Sequence, residues 1–195
     1  MIKLEPATQQ DLPSLAAVHK KVYSEAHFTS RFSSELLERY YGHFFDSDCF
    51  VVKALPDDGS STLPIGFVVS GFGMGGRIAA FKREQRSAIL LTALANPVAA
   101  SAKVLADVFY RFFDTKHPYQ ESRFLILSIA SDRSRPGIGA ALLEQAKQKS
   151  KAIGCDAVGL YVRVSNVKAI RFYLDHGFVI KGYSAGQFYL EAATS

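Results

Sequence analysis

A pair of glycines follows a strongly apolar segment of the chain and opens a predicted helix. The range Phe124–Ala130 reads as a buried strand, and Gly137 and Gly139 follow it after a polar, basic loop. A strand, a glycine turn and a helix together direct free backbone N–H groups at an anion. Arg133 and Arg135 add positive charge to the same loop. The pattern is typical of a phosphate-binding turn. A tight strand-to-helix turn in which glycine only relieves backbone strain has the same pattern.

Two familiar nucleotide-binding motifs do not match this turn. The dinucleotide fingerprint needs a third small residue where this chain has Leu142, and its first glycine follows the strand almost directly. Here six residues separate the strand from Gly137. The phosphate loop of nucleoside triphosphatases needs a lysine that is absent from this turn. Neither of these two motifs is therefore present at this turn.

The composition is that of an ordinary globular protein with a basic charge balance. The 195 residues are 48% hydrophobic and 21% charged, which excludes a disordered chain, and the formal net charge is +5. The basic residues are scattered, so a phosphate-bearing small molecule explains them and no nucleic-acid partner is expected. The longest apolar stretch, Ala88–Ala100, is too short and interrupted to span a bilayer, and no membrane contact is expected. Cys49 and Cys155 form no disulfide framework or metal site, which favours a cytoplasmic location and no bound metal.

Hydrophobic periodicity predicts the elements that must position the glycine turn. The predicted strands are Met1–Pro6, Cys49–Leu55, Leu63–Gly71, Phe124–Ala130, Ala157–Val164, Phe178–Tyr183 and Gln187–Glu191. The predicted helices begin near Asp11 and Ser33 and then cover Ile78–Leu94, Ser101–Phe113, Ile138–Gly154 and Asn166–Asp175. The order β-α-α-β-β-(helical insert)-β-α-β-α-β-β is that of an α/β protein with one sheet.

Two segments of the chain resemble the GNAT superfamily of N-acetyltransferases. The range Leu127–Leu143 is similar to that family's pyrophosphate loop, and Asn166–Phe178 is similar to its later motif, Asn-x-x-Ala-x-x-x-Tyr-x-x-x-Gly-Phe. The matching residues of the second motif are Asn166, Ala169, Tyr173, Gly177 and Phe178. The resemblance implies a single domain over residues 1–195, with a mixed and mostly antiparallel twisted sheet flanked by helices. Residues from about 74 to 120 depart from the family's order of elements, and their helical patterns predict a helical insert there.

The resemblance also implies a binding site for acetyl-CoA. The residues it assigns to the pyrophosphate are Gly137, Ile138, Gly139 and Ala140, through their N–H groups, with Arg133 and Arg135 beside them. The backbone of Ile129 and Ser131 would pair with the pantetheine arm, in a slot where the strand Ala157–Val164 splays away. Asn166 would hydrogen-bond the cofactor, cap the following helix, or do both.

The catalytic assignments that the resemblance implies are incomplete. Tyr173 matches the general acid that protonates the leaving thiolate, although an aromatic core residue would show the same spacing. Many family members carry a glutamate base on the strand before the loop, and Leu125 occupies that position here. The remaining candidates for the base are His27, Glu25, Glu121 and a water held by Ser128. An amine that is already neutral would need no base.

The insert between the third and fourth strands has three alternative roles. Its predicted second helix carries Phe109, Phe112 and Phe113. That aromatic face would dock on the core, cover the acceptor site or form a homodimer interface. The sequence identifies neither the acceptor nor the preferred acyl chain.

The leading hypothesis is an acetyl-CoA-dependent N-acetyltransferase that moves an acetyl group directly to a primary amine. The alternative is a non-catalytic acyl-CoA-binding or regulatory module of the same fold. The departures from the family pattern at Leu125 and Ser134 motivate this alternative.

Overall fold

A mixed sheet forms the centre of the molecule in the computed structural model, which describes residues 2–23, 27–57, 61–97, 123–132, 135–184 and 186–194. The strands in these residues are β1 (Ile2–Pro6), β2 (Cys49–Pro56), β3 (Gly66–Gly71), β4 (Leu125–Ser131), β5 (Ala157–Arg163), β6 (Val179–Ser184) and β7 (Gln187–Ala193). They lie in the order β1-β2-β3-β4-β5-β7-β6, and only the β4–β5 pair is parallel. The α/β class and the mostly antiparallel sheet are confirmed.

The helices lie on both faces of this sheet. They are α1 (Leu12–Val22), α2 (Ser34–Gly42), α3 (Met74–Glu84), α4 (Arg86–Ala95), α5 (Ile138–Ala152) and α6 (Val167–Asp175). Ser33 caps α2 by accepting a hydrogen bond from the Leu36 N–H at 3.1 Å, as its sequence position predicts. None of the helices in the described residues is long and apolar enough to cross a membrane.

Two apolar clusters hold the helices to opposite faces of the sheet. In β3, Phe67 and Val69 pack into the cluster that contains α1 and α2, whereas Val68 packs into the cluster that contains α5. This alternation is the period of two that a strand imposes on its side chains. Each large apolar side chain buried in this way contributes about 1.5–3 kcal/mol. The two clusters therefore fix which helices can reach a given side of each strand.

The helical insert differs from the sequence-based expectation. The single helix predicted over Ile78–Leu94 is wrong, because α3 ends at Glu84 and α4 begins at Arg86. Gln85 lies between them with φ of −103° and ψ of 25°, outside helical geometry. The Gln85 N–H donates the last hydrogen bond of α3, to the Phe81 carbonyl. The Gln85 carbonyl accepts the first hydrogen bond of α4, from the Ile89 N–H. Apolar residues continue at helical spacing on both sides, so periodicity does not reveal the break. The predicted helix Ser101–Phe113 lies outside the described residues.

Strand β4 carries an irregularity that matters for the site. Its register with β3 shifts by one residue, because Val69 pairs with Ser128 whereas Ser70 pairs with Ile126. Such a bulge gives β4 one extra residue relative to β3, and two successive side chains of β4 then point to the same face. Leu127 packs into the α1–α2 cluster, and the Ser128 hydroxyl contacts the end of α1.

Candidate active site

A slot opens between β4 and β5 because the two strands pair over only a short length. Their described pairs are Leu125 with Gly159 and Ile126 with Leu160, and no described pair follows toward the carboxyl end. Backbone groups beyond this point on β4 are therefore not used by β5. The separation of the two strands that the sequence resemblance implied is present.

The register of β4 determines which of its backbone groups face the slot. The Asp132 N–H, just beyond β4, donates to the Ile65 carbonyl at 2.8 Å, so this residue points toward the β3 side. Backbone groups alternate in direction along a strand, so Ser128 and Ala130 also face β3. Ile129 and Ser131 consequently present their N–H and C=O groups to the slot. These are the two residues whose backbone was expected to pair with a ligand.

One cavity of about 420 Å³ runs through the slot and is lined from both faces of the sheet. Helix α6 and the residues just before it contribute Asn166, Ala169, Phe172 and Tyr173. The end of α1 and the residues after it contribute Val22, Tyr23 and His27. Between them lie Ile129, Ser131, Gly139 and Arg163. Of the sequence-predicted site residues, Tyr173, Ile129, Ser131, Gly139 and Asn166 thus share one cavity.

The glycine turn begins α5 at the edge of this cavity. Gly137 adopts the left-handed conformation, with φ of +86°, which residues with a side chain rarely adopt. The Ala141 N–H is bonded to the Gly137 carbonyl at 3.0 Å, so the N–H groups of Ile138, Gly139 and Ala140 precede the helical hydrogen bonds. Such groups at a helix N-terminus favour an anion.

Gly139 connects the turn to the cavity by close packing. A Cβ atom at this position would lie 3.4 Å from Ser131 Oγ and 3.6 Å from Phe172 Cζ. A larger side chain would have to extend into the space that Ser131 and Phe172 line. Ile138 is fully buried in the α5 cluster, and its side chain is not part of the cavity lining.

The arginines and the remaining turn residues lie outside the cavity wall or outside the described part of the chain. Arg135 is exposed just before the turn, and Arg133 lies outside the described residues. The cavity lining does not include Gly137 or Ala140, whose positions are fixed by the start of α5.

Asn166 caps helix α6 and also lines the cavity. Its side-chain oxygen accepts a hydrogen bond from the Ala169 N–H at 3.2 Å. The amide nitrogen of the same side chain remains as a donor beside the cavity. The capping role that the sequence suggested is therefore present, and it leaves a polar group for a ligand.

Tyr173 lies in the last turn of α6 and lines the cavity. Its ring packs against Phe172 and Phe178, with centroids 5.3 and 5.6 Å away. Burial of the hydroxyl raises the pKa of Tyr173 well above its ordinary value, and the nearby Tyr23 adds to this effect. The phenol therefore holds its proton at neutral pH, as a general acid must.

Tyr23 is a site residue that the sequence did not indicate. Its hydroxyl lies 2.7 Å from Ser128 Oγ and 3.4 Å from the Ile129 carbonyl oxygen, across 105 and 106 residues of sequence. His19 stacks on its ring at 4.3 Å, and the His27 ring meets it edge-on at 5.0 Å. In the sequence Tyr23 is only one more residue on the apolar face of the predicted first helix. The residues that give it a role lie in β4, far along the chain.

The candidates for a base differ in position. His27 lines the cavity, and burial together with the charge of Arg163 lowers its pKa, so its imidazole is neutral at pH 7. Leu125 is buried in the α1–α2 cluster and offers no proton acceptor, and Glu25 and Glu121 lie outside the described residues. Ser128 is engaged by Tyr23.

Comparison with known proteins agrees with the sequence resemblance. The model of the Acetyltransferase (GNAT) family matches residues 15–178. A search of curated proteins finds no significant match. Among solved structures, the PaiA N-acetyltransferase of Thermoplasma acidophilum in complex with coenzyme A is 17% identical, with 99% of each chain covered and a TM-score of 0.60.

Two further structures have a similar fold. The ribosomal-protein-S18-alanine N-acetyltransferase of Escherichia coli is 14% identical, with 100% of this chain and 95% of that chain covered and a TM-score of 0.59. NAA60 of Arabidopsis thaliana in complex with acetyl-CoA is 17% identical, with 99% and 98% covered and a TM-score of 0.56.

Proposed function

This chain belongs to the GNAT family of acetyltransferases, and we propose that it transfers an acetyl group from acetyl-CoA directly to a primary amine. One observation carries the proposal. A single cavity joins the glycine turn and Tyr173 on one side of the sheet to Tyr23 and His27 on the other. Such a passage allows a donor and an acceptor to approach one carbon atom from opposite faces.

The backbone supplies most of the donor site in this proposal. The N–H groups of Ile138, Gly139 and Ala140 bind the pyrophosphate at the start of α5, where the helix dipole favours negative charge. Ile129 and Ser131 hold the pantetheine arm through the N–H and C=O groups that face the slot. The amide nitrogen of Asn166 gives one further hydrogen bond. Arg135, and Arg133 in the same loop, attract the phosphates by charge.

In this proposal Tyr173 acts as the general acid and His27 as the general base. The amine nitrogen forms the new bond to the carbonyl carbon, and the carbon–sulfur bond breaks. Tyr173, which keeps its proton at neutral pH, gives it to the sulfur that leaves. His27, which is neutral at pH 7, accepts a proton from the amine.

Binding and turnover test the proposal separately. Acetyl-CoA is expected to raise the melting temperature of the protein and to bind measurably by calorimetry. Incubation with a panel of amines should then release a free thiol that a colorimetric reagent detects. The panel includes aminoacyl compounds, peptides with free N-termini, polyamines and amino sugars.

The outcomes separate an enzyme from a binding module. Thiol release that depends on both the amine and the protein supports acetyl transfer. Binding of acetyl-CoA without transfer to any amine favours the non-catalytic module, for which the leucine at position 125 is the structural argument. Failure to bind acetyl-CoA would contradict both functions.

A further inference from the structure

The hydroxyl of Tyr23 lies at the edge of β4 where a thioester would be held. It is 3.4 Å from the Ile129 carbonyl oxygen, and the N–H and C=O of Ile129 both face the slot. A ligand arm that pairs with Ile129 must therefore pass close to this hydroxyl. The β4 bulge is what brings Ser128, and with it the hydroxyl of Tyr23, to this point.

Either hydroxyl can donate in the contact between Tyr23 and Ser128, and the Tyr23 hydrogen is available to a ligand when Ser128 is the donor. A phenol has one hydrogen and two lone pairs, and a serine hydroxyl can donate to one of those lone pairs. When Ser128 donates at 2.7 Å, the Tyr23 hydrogen has only the Ile129 carbonyl as a described acceptor, at the long distance of 3.4 Å. A stronger acceptor can replace so weak a partner. Burial raises the pKa of Tyr23, so the hydrogen stays in place.

Packing against His19 holds the ring of Tyr23 in position in the absence of a ligand. His19 stacks on it with a centroid distance of 4.3 Å and an interplanar angle of 21°. The imidazole is itself anchored, since His19 Nδ1 and the Tyr41 hydroxyl share a hydrogen bond of 2.6 Å, and both side chains are buried. A donor held in place by the fold stabilises developing charge without the cost of reorganising during the reaction.

We propose that the Tyr23 hydroxyl is a second hydrogen-bond donor to the thioester oxygen of acetyl-CoA, beside the Ile129 amide. It stabilises the negative charge that develops on this oxygen as the amine attacks the carbonyl carbon. The proton stays on Tyr23 throughout, so the step requires no additional acid or base. This inference rests on the proposed acetyl transfer and assigns to the α1 side of the slot a role in polarising the donor.

The test compares Tyr23→Phe with Tyr40→Phe, because each removes one tyrosine hydroxyl from the α1–α2 side. Tyr40 packs on Phe81 and is not part of the cavity lining. Tyr23→Phe should lower kcat by roughly 10–100-fold, with the KM of the amine unchanged. Tyr40→Phe should leave both constants near those of the wild type, and melting curves of both variants check that they fold.

A spectroscopic measurement tests the same contact without turnover. Acetyl-CoA labelled with carbon-13 at the carbonyl is bound to each protein, and its C=O stretch is recorded by difference infrared spectroscopy. Loss of a donor should move the band to higher frequency in Tyr23→Phe and leave it unchanged in Tyr40→Phe. Coenzyme A, which has no carbonyl at the sulfur, should bind wild type and Tyr23→Phe equally well.

The failures of the two proposals are distinguishable. If the wild type transfers acetyl groups while Tyr23→Phe keeps its kcat and band position, this inference is wrong and the proposed function stands. If only the KM of the amine rises, the hydroxyl binds the acceptor and the inference is likewise overturned. If the wild type does not bind acetyl-CoA, both proposals fall together.

Discussion

The two sides of the slot are constructed in different ways. On the α5–α6 side, the polar groups come from short stretches of sequence: the glycine turn at the start of α5, the Asn166 cap of α6, and Tyr173 two turns after that cap. On the α1 side, the hydroxyl of Tyr23 acquires its position only through contacts with Ser128 and His19. The first side depends mainly on backbone geometry, which a motif encodes locally. The second depends on side chains that the sheet brings together.

This difference suggests that substitutions on the two sides will fail in different ways. Changes on the α5–α6 side should alter donor binding or proton transfer while leaving the fold intact. Changes among the packed rings of α1 should affect stability as well. The following predictions test that division.

The largest effect is expected for Tyr173→Phe. Removing the hydroxyl removes the proton that the leaving sulfur needs, and kcat should fall by roughly 10²–10⁴-fold, the usual contribution of a general acid. Steady-state kinetics with acetyl-CoA and the best amine of the panel measure this effect. The Kd of acetyl-CoA should change little, because the phenyl ring keeps its packing on Phe172 and Phe178.

Tyr40→Phe is the matched control for this variant as well. An unchanged kcat in Tyr173→Phe would remove Tyr173 from the mechanism. A loss of stability without a loss of kcat would instead make it a packing residue and weaken the contrast between the two sides.

The next effect concerns stability on the α1 side. Burial lowers the pKa of His19 to about 4, with smaller contributions from the charges of His27 and Lys20. The unfolded chain, with a histidine pKa of about 6.5, binds a proton at pH values where the folded chain does not. The free energy of unfolding should therefore be greatest above pH 6.5 and fall as the pH drops to 4. His19 alone accounts for a loss on the order of 3 kcal/mol over that range.

Urea unfolding of the wild type and of His19→Phe at several pH values between 7 and 4 measures this dependence. The variant should have a shallower dependence on pH, even if its stability at pH 7 is lower because Tyr41 has lost its partner. Equal slopes for the two proteins would show that His19 is not buried in its neutral form.

These two sides also differ in how much of them the sequence could predict. The Asn166–Phe178 motif and the glycine turn are read directly, because their functional groups are close together in the chain. The β4 bulge was not predicted, since Leu127 and Ser128 continue an apolar run whose alternation is already weak. The break between α3 and α4 at Gln85 also lacks a local signal, because no proline or glycine lies beside it in the sequence.

Tyr23 shows the limit most clearly. A tyrosine on the apolar face of a helix is typical of a core residue, and only a partner 105 residues away gives its hydroxyl a direction. The hydrophobic pattern predicts the order of elements along the chain, but the contact between two side chains depends on register. That register is set by packing rather than by any local signal.

A smaller effect is expected for Gly139→Val on the α5–α6 side. The added methyl groups must extend past Ser131 and Phe172 into the cavity, since a Cβ atom already lies in contact with both. The affinity for acetyl-CoA should fall by roughly tenfold, equivalent to about 1.4 kcal/mol, in isothermal titration. Gly76→Val is the control, because a Cβ atom there meets nothing within 4 Å. An unchanged affinity in Gly139→Val would show that the ligand does not approach the turn at Gly139.

The smallest effect separates the two roles of Asn166. Asn166→Ala removes the cap of α6 and should lower the free energy of unfolding by about 1 kcal/mol, whereas Asn166→Ser keeps a capping oxygen and should change it by only a few tenths. Both substitutions remove the amide nitrogen, so a contact with the donor would weaken acetyl-CoA binding about fivefold in both variants. Chemical denaturation and calorimetry give the two quantities independently. Weaker binding in the alanine variant alone would mean that Asn166 acts only by ordering α6, and the α5–α6 side would then bind its ligand through the backbone.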